Sequence, residues 1–104
     1  MKRYSIGLID TEDELLGKNI YYLRKKKGLS QRKLAALVEI DLSNLYRLEK
    51  KQTGAIFEKP LANICEFFNL TQEELIFTDL QKIAEEKKRQ RQLEKEAKQK
   101  KGGE

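Results

Sequence analysis

The sequence of 104 residues contains no histidine, no tryptophan, one cysteine and one proline, and each shortage closes a class of function. Histidine is the commonest general base and metal ligand, and a lone Cys65 can close neither an internal disulfide nor a cysteine-based zinc site. No apolar run approaches the ~20 residues of a membrane span. The opening MKRYSIGLIDTEDE lacks the apolar stretch of a secretion signal and turns acidic at once, so a reducing, cytoplasmic setting without a membrane partner is expected. No nucleophile paired with a base, phosphate-cradling loop or metal cluster stands out. The chain therefore reads as a binder, not an enzyme, with no cofactor and no small-molecule ligand.

Charge is abundant. Lys and Arg number 22 against 17 Asp and Glu, a formal net charge of +5 that suits a polyanionic partner. Residues 82–104 hold nine basic and five acidic side chains, so they supply +4 of that excess and residues 1–81 only +1. A basic face on the body must come from segregation of charge. With 38% apolar residues the chain can bury one small core, which implies a single domain with appendages.

Helical signals dominate. In residues 2–10, Tyr4, Ile6 and Leu8 alternate with smaller or polar neighbours, as in an arm or short strand. Thr11 and Glu14 then have the spacing of a capping box, which predicts the start of a first helix. Leu16, Ile20 and Leu23 form its apolar stripe, Arg24 to Lys27 crowd its last turn, and Gly28 ends it. The stretch LSQRKLAALVEIDLSNLYRLE, residues 29–49, could be one rod, but it carries two caps, Ser30 and Asp41. Two short helices are therefore predicted, one burying Leu34, Ala35 and Val38, the next burying Leu45 and Leu48 and running to about Lys50. Residues 51–59 lack helical periodicity and read as a loop. Pro60 suits the first turn of a fourth helix striped by Leu61, Ile64, Cys65 and Phe68, where Cys65 is expected as packed core. Thr71 and Glu74 form a second capping box, opening a fifth helix through Leu75 and Ile76. The stripe goes on through Leu80, Ile83 and Ala84. Residues 85–101 are good helix formers with only Leu93 and Ala97 apolar, and read as a solvated helix or a disordered tail.

Three stretches, LGKNIYYLRKKKGLSQRKLA, VEIDLSNLYRLE and PLANICEFFNLTQEELI, resemble the phage-repressor and Cro-like (XRE-type) helix-turn-helix family across residues 16–76. The resemblance implies an all-α, five-helix, lambda-repressor-like domain over residues 11–80, with an N-terminal arm at 1–10 and a charged helix or tail at 81–104. It further implies a transcriptional regulator, a repressor or an activator, that places helix 3 in the major groove of double-stranded DNA as a two-fold dimer. Carried over by position, Leu42, Ser43, Asn44 and Arg47 face bases, and Gln31, Arg32, Tyr46, Lys50, Lys51, Gln52 and Thr53 face the sugar-phosphate backbone. A dimer seam is expected at Phe77, Leu80 and Ile83, or else at the arm's Tyr4, Ile6 and Leu8. Three departures stand out: Glu39 occupies the turn where the family has glycine, Leu42 is apolar where relatives carry a polar reader, and the loop after helix 3 lacks the usual glycine and proline. The rival reading is a protein-docking module with a loosely nucleic-acid-binding basic tail, its apolar patch formed by Leu42, Tyr46, Ile56 and Phe57.

Overall fold

Helix ends in this chain fall where a short polar side chain or a left-handed residue interrupts an apolar stripe. In the computed structural model, which describes residues 7–11 and 15–102, with side chains as far as residue 95, these breaks delimit six helices and two short strands. They are β1 (Leu8–Asp10), α1 (Leu15–Lys26), α2 (Gln31–Val38), α3 (Leu42–Glu49), β2 (Ala55–Phe57), α4 (Glu58–Phe68), α5 (Gln72–Phe77) and α6 (Leu80–Gly102). The Ser30 hydroxyl accepts from the Lys33 amide at the start of α2, and Thr71 and Glu74 complete a reciprocal capping box on α5. Glu39, Lys51 and Asn69 adopt φ of 58°, 61° and 57°, each ending a helix in the conformation usually given to glycine. After α3, the Gln52 amide reaches Arg47 O and the Lys51 amide reaches Leu48 O, so Lys51 does the work of the missing glycine.

The core is continuous. Leu16 and Ile20 of α1, Leu34, Ala35 and Val38 of α2, and Leu45 and Leu48 of α3 pack with Leu61, Ile64 and Cys65 of α4 and with Leu75 and Ile76 of α5. Burial of each large aliphatic side chain contributes about 1.5 to 3 kcal/mol. Contact between α1 and α3 depends on Gly17, where a Cβ would lie 1.8 Å from Leu48 O. No larger residue fits at that crossing.

Several sequence expectations need correction. The loop reading of residues 51–59 misses β2, which pairs antiparallel with β1 in the register Leu8 to Phe57, Ile9 to Ile56 and Asp10 to Ala55. Each strand is three residues long and its partner lies more than forty positions away, so no local pattern reveals the pair. Thr11 is also tied to the same sheet, since its amide and hydroxyl both donate to Gly54 O, at 2.9 and 3.0 Å, and α1 is described from Leu15 onward. Glu14, the other half of that expected box, lies outside the described residues, as do Tyr4 and Ile6. Asp41 does stand at the N-cap of α3, but its carboxylate accepts from the Ser43 hydroxyl, two residues on, and makes no cap bond to an amide.

The charged C-terminal helix is a separate element from α5. The break lies at Thr78 and Asp79, where the buried Asn19 of α1 donates to Leu75 O (2.6 Å) and Thr78 O (2.7 Å) and accepts from the Leu80 amide (3.1 Å). Asp79 then accepts from the Lys82 amide and pairs with Lys18 Nζ at 2.7 Å, which holds its carboxyl below the usual carboxylate range. Asn19 thus closes α5, and Asn19 and Asp79 together open α6. At ~1.5 Å per residue α6 is about 35 Å long, which accounts for a molecule 72 Å in its longest dimension and 25 by 23 Å across.

Candidate nucleic-acid interface

The two helices of the central motif, α2 and α3, meet at a corner whose geometry follows from one residue. Glu39 turns left-handed, the Ile40 amide closes on Ala35 O, and Asn63 of α4 donates to Val38 O at 2.9 Å, so the carbonyl ends of α2 are satisfied. Glu39 itself stays exposed, 3.6 Å from Lys59. Past the corner, α3 buries Leu45 and Leu48 and leaves Leu42, Ser43, Tyr46, Arg47 and Lys50 on its outer side. Its eight residues span about 12 Å along the axis, and a helix ~10 to 12 Å in diameter fits a major groove ~12 Å wide.

A buried ion pair fixes the far end of α3. Arg24 donates through Nε to Glu49 Oε2 and through Nη2 to Glu49 Oε1, both at 2.8 Å, and through Nη1 to Leu29 O at 2.8 Å. The two side chains are 9% and 3% exposed, and the hydrogen bond from Arg24 to Glu49 raises the guanidinium pKa further above its ordinary value. Gln31 adds Nε2 to Glu49 Oε1 at 2.9 Å. The end of α1, the start of α2 and the end of α3 are thereby locked together. By sequence Arg24 only joins the basic last turn of its helix, yet Leu16, Ile20 and Arg24 recur at four-residue spacing, as do Leu45 and Glu49. That periodicity was the available signal.

The expected site residues divide into groups. Leu42, Ser43, Tyr46, Arg47 and Lys50 share the exposed face of α3, and Lys50 Nζ stands 5.6 Å from the Tyr46 ring centroid. Arg32 is exposed in the first turn of α2, where helix amides lack intrahelical partners and attract anions. Two others already have partners: the Gln31 amide is bound to Glu49, and Asn44 Nδ2 donates to Ala55 O of β2 at 3.3 Å. Thr53 Oγ1 accepts from the Ala55 amide, while Lys51 and Gln52 follow α3 on the surface. Beside Arg47 a recess of about 280 Å³ is lined by Glu39, Asp41, Asn44, Phe57 and Pro60 among others. Of the rival reading's apolar patch, Leu42, Tyr46 and Phe57 are exposed, but Ile56 is wholly buried because alternation in β2 turns it into the core. The expected dimer seam is also divided: Phe77 is 67% exposed on α5, whereas Leu80 and Ile83 line a groove between α6 and α1.

Comparison with known proteins agrees with this geometry. Residues 17–78, more than half of the chain, match a helix-turn-helix domain family. Among solved structures, the crystal structure of the clp gene regulator ClgR from Corynebacterium glutamicum is similar, with a TM-score of 0.54 over 78% of this chain and 85% of that one. At 20% sequence identity that likeness is one of fold. None of the curated proteins matches the chain.

Proposed function

The chain belongs to the helix-turn-helix domain family, and from that premise we propose that it is a transcriptional regulator that reads DNA sequence by inserting α3 into the major groove. The observation that carries this reading is the two-sidedness of α3: Leu45 and Leu48 are buried, while Ser43, Tyr46, Arg47 and Lys50 are exposed on one side next to the amino-terminal turn of α2. Arg47 is the principal base reader, since a guanidinium can donate two hydrogen bonds to guanine O6 and N7. Leu42 offers apolar contact to a thymine methyl, and Ser43 discriminates little. Arg32, Lys50 and Lys51 meet phosphates. Gln31 and Asn44 act chiefly from within, by fixing Glu49 and β2, and present less to the groove than their positions suggest.

One copy of such a short helix reads few bases. A two-fold dimer with recognition helices one DNA turn apart, ~34 Å, supplies the specificity that a genome demands. Phe77, the most exposed of the large apolar side chains among the described residues, is the proposed anchor of that pairing.

Binding to random-sequence DNA and to a site selected from a random pool, at two salt concentrations, tests the reading. Wild type should prefer the selected site. Arg47→Ala should lose about 1 to 3 kcal/mol of that preference and keep most of its salt slope. A protein with no preference to lose would instead be a docking module.

A further inference from the structure

A groove of about 640 Å³ runs between the carboxyl-terminal half of α1 and the first three turns of α6. Its floor is apolar, formed by Leu23, Leu70, Leu80, Ile83 and Ala84, with Ile83 still 38% exposed. Its rim is cationic. Lys26 stands on the α1 side, its Nζ 5.6 Å from the Tyr22 ring centroid, and Lys87, Lys88 and Arg91 stand on the α6 side. Among the described residues no acidic side chain lines it, although Glu85 and Glu86 adjoin these lysines in the chain. Four- and seven-residue spacing brings Leu80, Ala84, Lys87 and Arg91 to one side of α6 and turns the glutamates elsewhere. The groove is also preformed, because Asn19 and the Lys18–Asp79 pair fix the start of α6 against α1.

We propose that this groove docks an acidic, amphipathic helical segment of a partner protein. Charge complementarity selects the occupant. Apolar residues of the segment would cover Leu23, Leu80 and Ile83, and its carboxylates would meet Lys26, Lys87, Lys88 and Arg91, the helix-in-groove mode of recognition. A DNA backbone suits the rim but not the floor, since phosphates against hydrocarbon lose hydration without return. A second copy's α6 would bring like charges together. None of the lining residues belongs to α2 or α3, so the proposal stands whether or not α3 reads DNA.

The test is selection of a phage-displayed library of random peptides about 15 residues long, four helical turns, against the whole chain, followed by titration of the enriched peptides, fluorescently labelled. Enriched sequences should combine Asp or Glu with Leu, Ile or Phe at helical spacing. Their affinity should fall about tenfold or more in Lys87→Glu/Arg91→Glu, and also in Ile83→Gln, with helix content and melting temperature unchanged. Failure to enrich, enrichment of peptides without acidic residues, or equal binding to the charge-reversed protein would overturn the proposal. So would loss of self-association or of DNA affinity in that variant without any effect on peptide binding, which would give the groove to a second copy or to phosphates.

Discussion

Removal of the Glu49 carboxylate should destabilise the protein more than its place at a helix end suggests. The carboxylate takes three hydrogen bonds, two from Arg24 and one from Gln31. With the pair 9% and 3% exposed, Glu49→Met leaves a desolvated guanidinium whose remaining hydrogen bond goes to Leu29 O. Breaking such a pair costs about 3 to 5 kcal/mol, a large share of the ~5 to 15 kcal/mol that holds a domain folded. At about 4 to 8 °C per kcal/mol for a domain of this size, the melting temperature should fall by about 12 to 40 °C. Arg24→Met should do similar harm by leaving the carboxylate with Gln31 alone. The double variant Arg24→Met/Glu49→Met should recover much of the loss, because two apolar side chains fill the site without stranding a charge. Urea and thermal unfolding followed by circular dichroism give the four corners of the cycle. Single variants within about 0.5 kcal/mol of wild type, or a double variant as unstable as the sum of the singles, would refute the argument that this pair is dry and coupled.

Three further outcomes follow from particular residues. Gly17→Ala should cost about 3 kcal/mol or more by thermal unfolding, since its Cβ would meet Leu48 O at 1.8 Å and backbone must move to admit it. Glu39→Gly should raise stability by on the order of 1 kcal/mol, because φ of 58° strains any residue with a Cβ and the exposed 3.6 Å pair with Lys59 offers little in exchange. The Asp79 carboxyl, held low by the Lys18 hydrogen bond, should titrate below 3.8 by NMR and return toward that value in Lys18→Met. Because its folded pKa is the lower one, its contribution is fully present above 3.8 and disappears as pH falls through the folded value, so the α5–α6 junction should loosen in acid.

Residues that act within one or two turns of themselves were legible in the sequence. Ser30, Glu39, Thr71 and Glu74 mark helix ends through local hydrogen bonds or local backbone strain, and the stripes of Leu34, Ala35 and Val38, or of Leu61, Ile64 and Cys65, announce their buried faces by spacing alone. What stayed hidden was settled by partners distant in the chain. β1 and β2 exist because each supplies the other with hydrogen bonds, and neither is long enough to show a period. Thr11 carries a second tie that its spacing to Glu14 does not announce, the hydrogen bond its hydroxyl donates to Gly54 O across the sheet. Asn19, a surface residue by composition, is wholly buried because three backbone groups converge on it from the α5–α6 break.

The candidate interface divides along the same line. Leu42, Ser43, Tyr46, Arg47 and Lys50 follow from where the stripe of α3 is not, so that their exposure is the complement of a legible pattern. Gln31 and Asn44 face outward only by the positions that the family resemblance implies, yet both are amides with a nearby acceptor, and an acceptor inside the fold engages them. Moving either into a groove would break a bond, at about 1.5 to 3 kcal/mol for the charged Glu49 acceptor and about 1 kcal/mol for Ala55 O. Arg47 is exposed beside an open recess, so on the proposed reading its guanidinium gains partners by entering the groove. Discrimination between DNA sites should therefore rest on Arg47, while Gln31 and Asn44 contribute through the rigidity they give to the corner and to β2.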